Sequence, residues 1–244
     1  MTLKSEEVGW FDASGMVSPE FGHTDDKWSS GNGIRYSSER LIALESAGEA
    51  EGVDFDSFLT LMENCERQPG LMMRGPTGIH IHGDQQSFDD YIALFSALRT
   101  IIDSPNSGIK HKTRSRDLMM RIYAHGLKTG FVYNNVDPGK FTVHSWLGRF
   151  QFFRPTLEYA LGFGVPWWRQ AGFYFSILTH STTDDGWIMT WHQIHASGVD
   201  NWITQRFERE IMSQGGAAEF VFRGHKEHPV RAWFPFALPK PRTF

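Results

Sequence analysis

Residues 87–98 read SFDDYIALFSAL, a helical pattern that sets the predicted fold class. Ser87 and Asp90 have the spacing of a capping box, in which two polar side chains satisfy exposed N–H groups at a helix start. The apolar residues that follow recur at the spacing of one buried helix face. The stretch therefore predicts an amphipathic helix that begins at the acidic pair Asp89 and Asp90.

Similar patterns recur along the chain between segments rich in Gly and Pro, which end helices. Further helices are predicted at residues 37–47, 55–67, 114–128, 144–162, 167–179, 187–195 and 201–212. Strand patterns are limited to residues 79–82 and 219–222, and the basic residues 110–116 predict a solvated loop leading into a helix. We therefore predict an all-α fold, with a single domain of roughly eight helices spanning residues 1–244.

Both ends of the chain differ from this helical pattern. Residues 1–36 are predicted to form a polar N-terminal loop region, and the proline-rich residues 217–244 an irregular C-terminal tail. Successive helical hairpins that begin alike can assemble into a curved array. The helices are therefore expected to form an array, in part arranged like an (α/α) toroid.

The charge and the aromatic content of the chain limit which kinds of binding partner are expected. A net charge of −4 with few clustered Lys and Arg residues argues against an extended nucleic-acid surface. Nine Trp and twenty Phe are hard to bury completely, so an aromatic-lined groove or interface is expected. No signal-peptide or bilayer-spanning pattern is found, which predicts no membrane partner and a location in the cytoplasm or in a virion.

Acidic pairs stand beside aromatic residues at three places, residues 25–28, 89–91 and 184–187. Each pair lies close to a predicted helix start, where carboxylates are favoured by exposed N–H groups and the helix dipole. Helix capping is therefore one interpretation. The other is that several helix starts converge and present carboxylates and aromatic rings to one cleft, an arrangement that suits the binding and cleavage of sugars.

A second candidate site lies at His80, His82 and Asp84. Two histidines separated by one residue in an extended segment point to the same side, so they can bind one divalent metal. The run resembles the first part of the metallo-β-lactamase superfamily's His-x-His-x-Asp-His signature, with Gln85 at the last position. The cofactor prediction is accordingly either none or one divalent metal, the alternative being a loop whose histidines bond to the backbone.

The helix starts, the aromatic surplus and the polar glycine loops together resemble the (α/α)-toroid enzymes that cut polysaccharides. This resemblance implies a glycan-active enzyme, either a hydrolase or a lyase. Catalytic roles then fall to Asp25 and Asp89, and in a lyase the base is His23, His80 or Tyr91. Binding of a carbohydrate or small anionic ligand falls to the remaining predicted residues, Trp28, Arg74, Asp184 and Trp187.

Two further hypotheses stay open. The first is a non-catalytic structural or assembly protein, as in a viral particle, whose aromatic residues form homo-oligomer or partner contacts. The second is a metal-dependent hydrolase centred on His80, His82 and Asp84. Bound metal would distinguish the second hypothesis, and the oligomeric state would distinguish the first.

Overall fold

The computed structural model describes residues 33–47, 54–76, 86, 88–131, 153–180 and 184–213. Within these residues the chain forms eight helices and one two-stranded hairpin. The helices are α1 (Gly33–Ala47), α2 (Phe55–Asn64), α3 (Phe88–Asp103), α4 (Ile109–Thr129), α5 (Phe153–Ala160), α6 (Trp167–His180), α7 (Asp184–Ser197) and α8 (Trp202–Ser213), and the strands are β1 (Glu66–Gln68) and β2 (Leu71–Met72). The all-α prediction is confirmed, whereas the toroid-like arrangement stays a prediction.

The central element is α3, which packs against α1, α4 and α7. Every residue from 90 to 98 is buried, more than the single apolar face expected from the sequence. Because α3 is covered on several sides, polar residues of this helix are buried as well. Ser96 Oγ, for example, lies 2.7 Å from Nδ1 of His195 in α7. Asp90 in the first turn is buried too, so the start of α3 places a carboxyl group against the core.

The N-terminal cap predicted for α2 is confirmed. Oδ1 of Asp54 accepts a hydrogen bond from the backbone N–H of Ser57 at 2.9 Å, so one exposed donor of the first turn is satisfied. The predicted end of this helix at residue 67 is wrong, since α2 ends at Asn64.

The short hairpin of β1 and β2 explains that early end. Its turn contains Gly70 at φ +82°, and a Cβ there would lie 2.1 Å from the carbonyl oxygen of Arg121 in α4. Glu66 in β1 forms an ion pair with Arg121, and Nη2 of Arg121 lies 2.7 Å from Oε2 of Glu66. Strands of three and two residues are too short to show an alternation of apolar and polar residues, so the sequence does not predict the hairpin.

The predicted loop at residues 110–116 is wrong, because α4 already begins at Ile109. Positive charge at a helix start is unfavourable by itself, but acids on α2 compensate for it. Nη1 of Arg114 lies 2.7 Å from Oδ1 of Asp56, and Nη2 lies 2.7 Å from Oε2 of Glu63. The predicted end of α4 is confirmed, since Gly130 closes it in a left-handed conformation at φ +68°.

The later helices agree with the sequence patterns within a few residues. Only α5 is seen of the helix predicted at residues 144–162, since residues 144–152 lie outside the described ranges. Buried Glu158 accepts hydrogen bonds from Arg154, Arg169 and Tyr123, which ties α5 to α6 and α4. Among the described helices, none is long and apolar enough to cross a membrane.

Candidate functional site

The predicted site residues fall into three groups. Six lie outside the described residues, and their roles stay predictions: His23, Asp25, Trp28, His80, His82 and Asp84. Asp184 and Trp187 are placed by their backbone in the first turn of α7. Arg74, Asp89 and Tyr91 are described in full, and they lie at or near the start of α3.

A set of charged and polar side chains surrounds the start of α3, and we call it the buried polar cluster. Its members come from four parts of the fold: Arg35 and Glu39 of α1, Arg74 after β2, Asp89 and Asp90 of α3, and His192 of α7. Arg74 and Asp89 are partly exposed, and the other four are buried. The cluster therefore extends from the core to the surface.

Arg35 holds the cluster together. Its backbone N–H donates to Oδ1 of Asp90 at 2.8 Å, and its Nε donates to Oε1 of Glu39 at 3.0 Å. Its Nη1 lies 3.9 Å from Oδ2 of Asp89. Burial works against the charge of this guanidinium, but Glu39 and Asp89 outweigh that effect and raise the pKa of Arg35. Arg35 thus contacts three carboxyl groups, two through its guanidinium and one through its backbone.

Glu39 and His192 form the deepest part of the cluster, and both are fully buried. Burial opposes ionisation of Glu39, yet Arg35 and His192 outweigh it and hold the pKa of Glu39 below its usual value. Burial lowers the pKa of His192 against the opposing effect of Glu39, so the ring is neutral near pH 7. Nε2 of His192 lies 3.3 Å from Oε1 of Glu39 and is placed to donate to it.

Asp89 and Asp90 have different surroundings although they are neighbours. The side chain of Asp89 is 40% exposed, whereas Asp90 is 2% exposed. Burial raises the pKa of Asp90 to about 7, against the backbone N–H of Arg35 and the charge of Arg74, which favour the ionised form. Oδ2 of Asp90 has no hydrogen-bond partner in the part of the chain that the structure describes. The two adjacent carboxyl groups therefore differ in burial, and burial favours the protonated form of Asp90.

Arg74 follows the hairpin in a bend. Its Nε is buried without a hydrogen-bond partner, and no ion pair is seen for this guanidinium among the described residues. Its charge nevertheless acts on Asp90, since it lowers the pKa of that carboxyl against the larger effect of burial. Arg74 therefore carries a charge that faces a buried acid without making a direct pair.

Tyr91 is placed differently from the other predicted site residues. Its hydroxyl oxygen accepts a hydrogen bond from the backbone N–H of Met72 at 2.8 Å, which fastens α3 to β2. Burial raises the pKa of Tyr91 well above its usual value, so the hydroxyl stays protonated. This geometry is that of a side chain that positions the start of α3.

No group of three or more His, Cys, Asp or Glu side chains able to hold a metal ion is found within the described ranges. The predicted ligands at residues 80, 82 and 84 lie outside those ranges. A metal at that run therefore stays a prediction.

Sequence reasoning missed the deeper members of the cluster. Arg35 and Glu39 stand four positions apart with opposite charges, a spacing that usually indicates a solvent-exposed helix pair. His192 lies beside Trp191 on an aromatic face, which indicates core packing. The capping-box spacing of Ser87 and Asp90 predicts only a helix cap for Asp90. The available signal was the apolar sequence near these charges, as in Leu41 and Ile42, which follow Glu39 after Arg40.

No family model matches this chain, and no curated protein and no solved structure matches it significantly.

Proposed function

We propose that the protein is a glycan-active enzyme, a polysaccharide hydrolase or lyase, whose site lies at the start of α3. One observation carries the proposal: the adjacent carboxyls of Asp89 and Asp90 differ in exposure, and burial raises the pKa of Asp90 to about 7. Enzymes tune the proton affinity of a reacting carboxyl through the burial and charge of its neighbours, and Asp90 is such a neighbour of Asp89.

In this proposal Asp89 is the carboxylate that meets the glycan, because its side chain is the more exposed of the two. Cleavage of a glycosidic bond needs one carboxyl to deliver a proton and a second to act as base or nucleophile. Asp25 is the predicted second carboxyl. Asp90 lies behind Asp89, and its ionisation raises the affinity of Asp89 for a proton through repulsion between like charges.

The remaining predicted residues keep their roles as substrate contacts. Trp28 and Trp187 stack on sugar rings, and Asp184 binds hydroxyl groups. In a lyase the base is His23 or His80. Tyr91 fits a positioning role better than that of a base, since its hydroxyl is buried and bonded to Met72.

The test is a panel of polysaccharides incubated with the wild type and with Asp89→Asn. New reducing ends indicate cleavage, and the ultraviolet absorbance of an unsaturated product distinguishes a lyase from a hydrolase. Removing a general acid or base lowers turnover by about a hundredfold to ten-thousandfold. The matched control is Asp103→Asn, which changes an exposed carboxyl at the far end of the same helix. Equal turnover in the wild type and Asp89→Asn would refute the role of Asp89.

A second candidate, a structural or assembly protein, is favoured by exposed aromatic side chains on α6 and α8. Trp167 is 78% exposed and Trp202 is 70% exposed. Large apolar side chains at the surface often mark contacts with another protein. Sedimentation analysis of the wild type and of Trp167→Ser/Trp202→Ser tests this role. Assembly that these changes abolish supports it, and a monomer at all concentrations excludes self-assembly.

A further inference from the structure

The guanidinium of Arg74 is the least satisfied charge of the buried polar cluster. Its Nε is buried without an acceptor, and neither a hydrogen bond nor an ion pair is seen for it in the ranges that the structure describes. Arg35, by contrast, is bonded to Glu39. A guanidinium presents a fork of donors that matches a carboxylate, so a partly buried one without a pair is a good receptor for that group.

Asp90 lies close enough to Arg74 for the two charges to interact, yet no ion pair forms between them. Its Oδ2 is likewise without a hydrogen-bond partner among the described residues. The charged and titratable groups that act on Asp90 are Arg35 from α1, Asp89 and Tyr91 from α3, and Arg74 from the segment after β2. Glu39 and His192 interact with Arg35 instead. Of these, Arg35 already donates to Oε1 of Glu39.

We propose that Arg74 binds the carboxylate of an acidic sugar, and that Asp90 behind it weakens this binding as the pH rises, so that the substrate is a polysaccharide containing uronate. This inference rests on the proposed glycan activity and names its substrate class. It also assigns a regulatory role to Asp90, which acts through Arg74 without touching the ligand.

The pH dependence follows from competition for one cation. When Asp90 is protonated, the Arg74 charge is available to the ligand carboxylate. When Asp90 ionises, it neutralises Arg74 and repels the ligand. Burial raises the pKa of Asp90 to about 7, so the change falls near neutral pH. By linkage, binding of the anion takes up a proton, and affinity falls by up to about tenfold for each pH unit above that pKa.

The experiment measures binding by calorimetry below and above neutral pH. The probes are oligosaccharides of galacturonate, glucuronate, mannuronate and guluronate, each compared with its methyl ester, which has the same ring without the charge. The wild type is expected to bind one of the charged oligosaccharides at least about tenfold more tightly than its methyl ester. Its affinity for that charged form is expected to fall as the pH rises. Repeating the titration in buffers of different ionisation enthalpy reveals the expected proton uptake.

Two variants and a control separate the roles. Arg74→Gln is expected to remove the preference for the charged form. Asp90→Asn cannot ionise, so it is expected to bind the charged form with equal affinity at both pH values. Arg99→Gln, which changes a partly exposed arginine paired with Asp103, should behave as the wild type.

Equal binding of the charged and esterified probes by the wild type would overturn the inference, as would an unchanged preference in Arg74→Gln. If Asp90→Asn does not fold, Arg74→Gln still tests whether Arg74 binds the carboxylate. Arg74 is partly exposed, so its replacement is expected to leave the fold intact. Cleavage of neutral glycans without uronate preference would refute the inference alone. Selective uronate binding without cleavage of any glycan would refute the proposed enzymatic function alone.

Discussion

The backbone N–H of Arg35 donates a hydrogen bond to Oδ1 of Asp90 at 2.8 Å and so joins α1 to α3 across 55 positions of sequence. Arg35 lies in the first turn of α1, where backbone N–H groups have no partner within their own helix. Asp90 therefore caps α1 from a different helix. The guanidinium of the same residue lies near Asp89. A single arginine thus contacts both members of the acidic pair, one through its backbone and the other through its side chain.

Replacing Asp90 with Asn is expected to remove a pH-dependent part of the stability. Burial raises the pKa of Asp90 from 3.8 to about 7, so between these values the folded protein holds a proton that the unfolded chain has released. This part of the free energy of unfolding falls as the pH rises through that window, by up to about 1.4 kcal/mol per pH unit, and is constant above it. Urea denaturation at several pH values measures the slope.

The quantity to compare is the difference between the wild type and Asp90→Asn. The pKa values of Glu39 and His192 are both lowered in the folded protein. Their contribution to the free energy of unfolding therefore falls on acidification, which gives a slope of the opposite sign. Subtraction removes their contribution. A difference that does not change between acid and neutral pH would contradict the burial of an ionisable Asp90, and Asp103→Asn serves as the exposed control.

Replacing Glu39 with Ala is expected to cost about 3–5 kcal/mol, because the guanidinium of Arg35 then stays buried without this carboxylate. The double variant Arg35→Met/Glu39→Leu removes both charges, so it should unfold at a higher urea concentration than Glu39→Ala. Asp103→Ala breaks an exposed pair and should cost less than about 1 kcal/mol. A double variant less stable than the single one would contradict this account.

Gly70 and Gly130 offer a matched pair of alanine substitutions, because both residues have positive φ. A Cβ at Gly130 meets nothing within 4 Å, so Gly130→Ala should cost only the backbone term of about 1–2 kcal/mol. A Cβ at Gly70 meets the carbonyl of Arg121 at 2.1 Å, which adds about 1–3 kcal/mol of overpacking. Thermal denaturation of the two variants measures the difference. Equal losses would contradict the close approach of the hairpin to α4.

Replacing Tyr91 with Phe separates a positioning role from a catalytic one. The variant leaves the buried N–H of Met72 without its acceptor, which should cost about 1–3 kcal/mol of stability. Turnover of folded protein should change little. If Tyr91 is instead the base of a lyase, turnover would fall by about a hundredfold or more at a similar loss of stability. Activity per folded molecule, measured beside urea denaturation, distinguishes the two roles.

Local signals in the sequence predicted much of the fold. The cap at Asp54, the helix end at Gly130 and the helix that follows Ser87 all depend on interactions within a few residues of one another. The start of α4 was predicted wrongly for a different reason. Its basic first turns are stabilised by Asp56 and Glu63, which lie on α2 and are brought close only by folding.

The candidate site was also predicted only in part, because its contacts join residues that are distant in sequence. The acidic pair at residues 89 and 90 is visible in the sequence, as is the guanidinium of Arg74. That Asp90 is buried while Asp89 is partly exposed depends on the packing of α1 and α7 against α3. The spacing of Arg35 and Glu39 is equally compatible with an exposed pair, so the spacing by itself does not distinguish the buried case.

The all-α class, most helix positions and the acidic start of α3 could be predicted from the amino-acid sequence, because helical periodicity and capping are local properties of the chain. Which charged groups come into contact depended on how the helices pack. This packing brought Arg35, Asp90 and His192 together from three helices, and it set their protonation through burial and through charges distant in sequence. Electrostatic energies depend on distance and on exclusion of water, and both are fixed only when the helices pack.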